Sequence, residues 1–267
     1  MSLPDYVVMQ EFFMRELRLM HLPVAIKFFF DASELADFLS VAPYYVPTTP
    51  LTFCQAEIGA RMEGLTILVE REKLGCTNAR YIFGWKEFDD AEVKSHVKYC
   101  QDIEQASRFV QGKPRLPERQ LRAVTVAPLA QSIGEPDVVH FYCDNMQAYH
   151  LLGDWMATQN VHPFRPLMSV NSAACGGNVF AFNDNQANLF LPCSGSYNSG
   201  KTERGETNLT IPGKHINAVM QRMMMRVEEK GGAAITRLGN PFPGANICKN
   251  CPLIVFKKGE NSAVTGA

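Results

Sequence analysis

The chain lacks most of the marks by which a function is read from a sequence. No apolar run approaches the roughly 20 residues that a spanning helix needs, so no membrane segment is expected. There is no polybasic run, and the formal net charge is -1. Nucleic acid binding depends on clustered Lys and Arg, so a nucleic-acid partner is not expected. Asp5, Glu11, Arg15 and Glu16 interrupt the apolar residues of the N-terminus. No basic segment precedes them, so no export signal is expected. The G-x-S-x-G, P-loop and dinucleotide glycine patterns are all missing. The histidines are scattered, form no H-x-x-x-H pair, and read as structural residues.

What is present starts with eight cysteines in 267 residues of ordinary globular composition, 46% hydrophobic and 20% charged. Without an export signal these thiols point to a reducing, cytoplasmic setting. There cysteines serve as metal ligands, catalytic groups or buried small residues rather than in disulfides. Two stretches repeat one pattern. Leu74-Gly-Cys-Thr-Asn-Ala-Arg-Tyr runs on to Gly84, Lys86 and Glu87, and Leu191-Pro-Cys-Ser-Gly-Ser-Tyr runs on to Gly200, Lys201 and Glu203. Each has an earlier cysteine upstream, Cys54 before Cys76 and Cys175 before Cys193. The pattern suggests a duplicated unit with two thiols per copy.

The rest of the chain fits that frame. Helices are expected over 5–20, 32–40, 51–61, 89–111, 145–158 and 212–229, and strands over 24–30, 66–70, 123–127, 137–142 and 187–191. Cys54 should fall in the first turn of its helix. Residues 112–120 hold two prolines and several charges and read as a joint. The expected layout is a first α/β half over 1–112, a second over 121–256, and a flexible tail over 257–267, compact overall. The class is α+β, with a mixed sheet and a pseudo-two-fold duplication.

Thiolates are soft donors that suit iron–sulfur clusters and zinc. If the halves pack about a pseudo-two-fold axis, Cys54, Cys76, Cys175 and Cys193 form a four-thiolate cage. The alternative is that Cys76 and Cys193 merely end strands as small packing residues. Cys248-Lys-Asn-Cys251 is a C-x-x-C before a strand, Leu253 to Phe256, and offers a second, peripheral metal site. Cys100 and Cys143 read as core. The loop containing Gly195, Tyr197 and Asn198 is polar and flexible, and Arg80, Tyr81 and Lys201 complete a candidate ligand-binding set.

Cys54, Gly75-Cys76, Cys175, Cys193-Ser-Gly-Ser, Gly200, Glu206 and Ile211-Pro-Gly213 together resemble the prokaryotic family called domain of unknown function 169. The likeness spans about residues 20–230 and includes Pro23-Val-Ala-Ile-Lys27 and Pro128-Leu129. Pro192 stands where that family commonly has glycine, and Tyr197 where it commonly has arginine. The resemblance implies the four-cysteine placement and a cytoplasmic setting in an anaerobe; it implies no reaction.

Three functions are therefore carried forward. One is an iron–sulfur or other metal–thiolate protein in redox metabolism, serving a small molecule or a redox partner protein. Another is a small-molecule binding or sensing module with a pocket between the halves, with no metal required. The third is a thiol enzyme using Cys76 or Cys193 as nucleophile, for which no histidine base lies nearby in sequence. Met220, Met223, Met224 and Met225 on the last long helix leave a homo-oligomer open.

Overall fold

Three strands of this chain are buried at every position rather than at alternate ones. Such strands need helices on both faces of their sheet. The computed structural model describes residues 5–168 and 171–230. In chain order it contains α1 (Tyr6–Leu17), β1 (Val24–Phe29), α2 (Ala32–Val41), α3 (Phe53–Glu63), β2 (Ile67–Glu70) and α4 (Thr77–Ile82). Then come α5 (Asp90–His96), α6 (Ile103–Gln111), β3 (Ala123–Pro128), β4 (Val138–Cys143) and α7 (Asn145–Gln159). The remainder is α8 (Ala173–Asp184), β5 (Asn188–Phe190), α9 (Ser194–Tyr197), β6 (Thr207–Pro212) and α10 (Gly213–Lys230).

The class is α+β. The six strands form one sheet in the order β2-β3-β1-β4-β6-β5. Every ladder in it is antiparallel, with two isolated parallel bridges, Tyr45 to Ile67 and Leu51 to Leu74. β3 follows the proline-rich 112–120 segment, yet it lies between β1 and β2.

Strand alternation divides the side chains between two helix layers. Val24, Ile26 and Phe28 of β1 pack in one core with Phe53, Ala56 and Ala60 of α3, with Ala79 and Tyr81 of α4, and with Cys175 and Val179 of α8. On the opposite face Phe29 meets Phe38 of α2, and Phe141 meets Phe13 of α1 edge to face at 5.3 Å. Among the described residues no helix is long and apolar enough to cross a membrane.

Several elements depart from expectation: the sheet is antiparallel rather than mixed, α4, α8 and α9 were not among the expected helices, and two further differences have a local cause. The single helix expected over 89–111 is two, α5 and α6, separated at Cys100-Gln-Asp102. Asp102 takes an extended conformation and its carboxylate accepts from the Gln105 N–H at 2.6 Å, so it starts a new helix instead of continuing the old one. Cys100 is therefore in the break rather than within a helix. β6 was not expected, because Asn208 and Thr210 give its sequence a polar look; both side chains are buried in hydrogen bonds. Cys248, Cys251, the strand expected at Leu253 to Phe256 and the 257–267 tail lie outside the described residues.

Candidate metal-thiolate site

The four paired cysteines open four helices. Cys54 is the second residue of α3 and Cys175 the third of α8, while Cys76 and Cys193 are the N-cap residues of α4 and α9. All four line one cavity of about 510 Å³.

Local bonding explains the convergence. Thr52 and Gln55 form a capping box that fixes the start of α3. Leu51, just before that cap, donates its N–H to Lys73 O at 3.0 Å, and Gly75 donates to Leu51 O at 2.8 Å. The chain leading into α4 is thereby laced to the chain leading into α3, and their cysteines are brought side by side. Cys76 and Cys193 occupy positions where Ser, Thr, Asp or Asn usually caps, and neither makes a side-chain cap bond. The second pair is set by Gly177. A Cβ there would lie 2.2 Å from the Phe190 ring, so only glycine lets β5 close on α8 and deliver Cys193 beside Cys175.

The thiols feel one another. Burial pushes the Cys54 thiol well above its ordinary value; Glu57, Cys193 and Cys76 add to that, and Lys201 pulls the other way. Burial raises Cys175 still more clearly, with Cys76, Cys54 and Cys193 contributing. Among the described residues, the one trio of His, Cys, Asp or Glu ligand atoms all within 4.8 Å of one another is His21, Glu203 and Glu206. No three of the four sulfurs reach that spacing. In the acidic trio, Glu206 is already matched by the Arg61 guanidinium at 2.7 Å.

Behind the thiols is a layer of buried polar groups. Cys54, Glu57 and Arg61 share one face of α3, at helical spacing. Glu57 is completely buried and accepts from His140 Nδ1 at 2.7 Å, Tyr142 Oη at 2.6 Å and Asn178 Nδ2 at 3.0 Å. Arg61 lies over the Tyr142 ring, 3.9 Å from its centroid, and donates to Lys201 O at 3.1 Å. That bond holds the loop that carries Lys201 toward the cavity.

The opposite wall comes from the break between α5 and α6, which turns His96, Lys98 and Tyr99 toward the cavity. His96 is not free to ligate. Its Nδ1 sits 2.7 Å from Glu92 O, and its Nε2 is 2.8 Å from the buried Lys113 Nζ. Lys113 also donates to Asn78 Oδ1 at 3.2 Å. Burial lowers its pKa to about 8, against the opposing pull of Glu92, Cys175 and Cys76.

The expected ligand-binding set separates. Gly195 and Lys201 line the cavity, with Lys201 Nζ 3.3 Å from Gly195 O. Tyr197 and Asn198 are exposed at the end of α9 and do not line it. Tyr81 is buried in the core under the Arg115 guanidinium. Arg80 lines a different groove, with Arg71, Lys86 and Arg119. Cys143 is buried on β4, its Sγ donating to Thr207 O at 3.8 Å, and neither it nor Cys100 lines the cavity.

Glu57, Tyr142, Asn178, Lys113 and Asn171 escaped the sequence reading, in which His140 reads as a structural histidine. A signal existed for two of them, since Glu57 and Asn178 each follow a paired cysteine by three residues in a helix. Nothing in the sequence ties Lys113 to the site.

An α+β sheet protein with four helix-start thiols gathered in one cavity is the class that fold and site define. The family model described as "Uncharacterised ArCR", domain of unknown function 169, matches residues 13–222, and the chain belongs to that family. No curated protein and no solved structure matches the chain.

Proposed function

We propose that Cys54, Cys76, Cys175 and Cys193 hold a metal–thiolate centre, an iron–sulfur cluster in the first instance, and that the protein serves redox metabolism in the cytoplasm of an anaerobe. The observation that carries this is the convergence of four cysteines, from four helix starts, on one cavity. Exposed amides and the dipoles at the starts of α3 and α8 favour negative charge there, as thiolate ligation needs. A four-iron cluster takes four cysteines as its donors, the number that lines this one cavity.

The thiol-enzyme reading has less support. That reading makes Cys76 or Cys193 the nucleophile, and the histidine beside the cavity has its Nε2 engaged by Lys113. Protein purified without oxygen should be brown, with broad visible absorption and iron and acid-labile sulfide in equal amounts. A colourless, metal-free protein with all four thiols open to titration would refute the proposal.

A further inference from the structure

We propose that the same cavity takes a small anionic molecule, bearing a carboxylate or a phosphate, held between Lys98 and Lys201 above the thiols. This rests on the metal–thiolate reading only for what forms the floor of the cavity.

The cavity is larger than its sulfurs require. At about 510 Å³ it lies within the range of roughly 300–1,000 Å³ of small-molecule sites. Its depth is graded. Cys175, Asn171 and Ala173 are buried at the bottom, whereas Lys98 and the Ser194–Gly195 edge are exposed at the mouth.

Its chemistry is one-sided. Among the described residues no Asp or Glu lines it, while two lysines do. Lys201 is kept there by Arg61 acting on its backbone carbonyl, and Lys98 rests with its ammonium 5.1 Å from the Tyr99 ring centroid. Two asparagines are set as donors. Asn78 has its oxygen on Lys113, and Asn171, 7% exposed, has its oxygen on the Ser172 hydroxyl at 3.2 Å. Among the described residues neither side-chain NH2 group has an acceptor, and an acceptor-rich oxyanion satisfies both.

Lys98 and Lys201 are the charged side chains lining the cavity among the described residues, and the starts of α3 and α8 add positive dipole ends, which a carboxylate or phosphate group balances.

The test is calorimetric titration of the full-length protein, prepared without oxygen, with inorganic phosphate and separately with citrate. Saturable one-to-one binding of either probe is expected, and which probe binds more tightly separates a phosphate from a carboxylate ligand. The surface double variant Lys98→Ala/Lys201→Ala should weaken it at least about tenfold, while metal content stays at the wild-type level. Asn171→Asp, which puts a carboxylate in the wall, should weaken it as well. No binding of either probe at about 10 mM, weaker than the millimolar range of the loosest specific ligands, would overturn the proposal. So would equal binding by the double variant. Metal content is read on the same samples by elemental analysis, so loss of the metal reading and loss of the anion reading are separate results.

Discussion

Glu57 and His140 are hydrogen-bonded with no solvent exposure on either side chain, Oε1 to Nδ1 at 2.7 Å. The other imidazole nitrogen faces Asn208 Oδ1 at 2.9 Å. Both ring nitrogens therefore face side-chain oxygens, and the Glu57 carboxyl, three residues along α3 from Cys54, is the shared partner of His140, Tyr142 and Asn178. Removing Glu57 strands those buried polar groups in a dry interior. Glu57→Ala should cost about 3–5 kcal/mol, and Tyr142→Phe, which deletes one donor to the same carboxylate, about 1.5–3 kcal/mol. Urea denaturation read by circular dichroism checks both; a Glu57→Ala loss under about 1 kcal/mol, the scale of an exposed pair, would show that the pair does not hold the fold.

Serine at position 54, 76, 175 or 193 should each lower bound metal. Even partners that only orient a ligand are worth 10–100-fold in affinity, so loss of a ligand should cost at least that. Alanine at Cys143 should leave metal untouched. Its neighbours His140 and Tyr142 reach Glu57 on the cavity side, and strand alternation sends Cys143 to the other face. Cys100, at the helix break, should behave likewise. Elemental analysis of the six variants decides between this assignment and one in which all thiols contribute equally.

The sequence exposed the cysteine pairing because a recurring local pattern needs no knowledge of topology. Cys54 in the first turn of a helix was likewise legible from the apolar periodicity after Thr52. The buried polar layer was not. Glu57 reads as a helix-surface charge until the β4 register sets His140 and Tyr142 against it, and that register depends on β6, whose polar residues disguised it. The break at Asp102 was hidden for a different reason. Helical periodicity continues through it, and a single side-chain cap outweighs that weak propensity.

Lys113 gives the protein a readable pH signature. Its pKa is about 8 in the folded chain against an ordinary 10.5, because burial disfavours the ammonium. Between those values the unfolded chain holds a proton that the folded chain has released, so this residue's contribution to stability rises with pH through that window and is flat below it. Lys113→Met lacks the titration. The difference in stability between wild type and variant should therefore shift in favour of wild type from pH 7 to pH 9.5, measured as paired urea midpoints. An unchanged difference would mean that the ammonium is solvated and its burial has been misjudged.

Two glycines should respond to alanine in opposite directions. Gly213 begins α10 beside the turn that leads into β4; its N–H donates to Asp137 O at 2.8 Å, and a Cβ would lie 1.6 Å from Pro136 O. The obstacle is backbone, which cannot swing aside as a side-chain tip can. Gly213→Ala should cost about 3 kcal/mol, the upper end of overpacking penalties. Its place in the Ile211-Pro-Gly213 motif is thus explained by packing rather than by chemistry. Gly153 sits exposed in the middle of α7 with nothing within 4 Å of a Cβ. Alanine there removes only backbone freedom of the unfolded chain and should stabilise by about 0.5–1 kcal/mol. Thermal melts of the two variants against wild type test the pair, and a Gly213→Ala protein as stable as wild type would mean that α10 can shift away from Pro136.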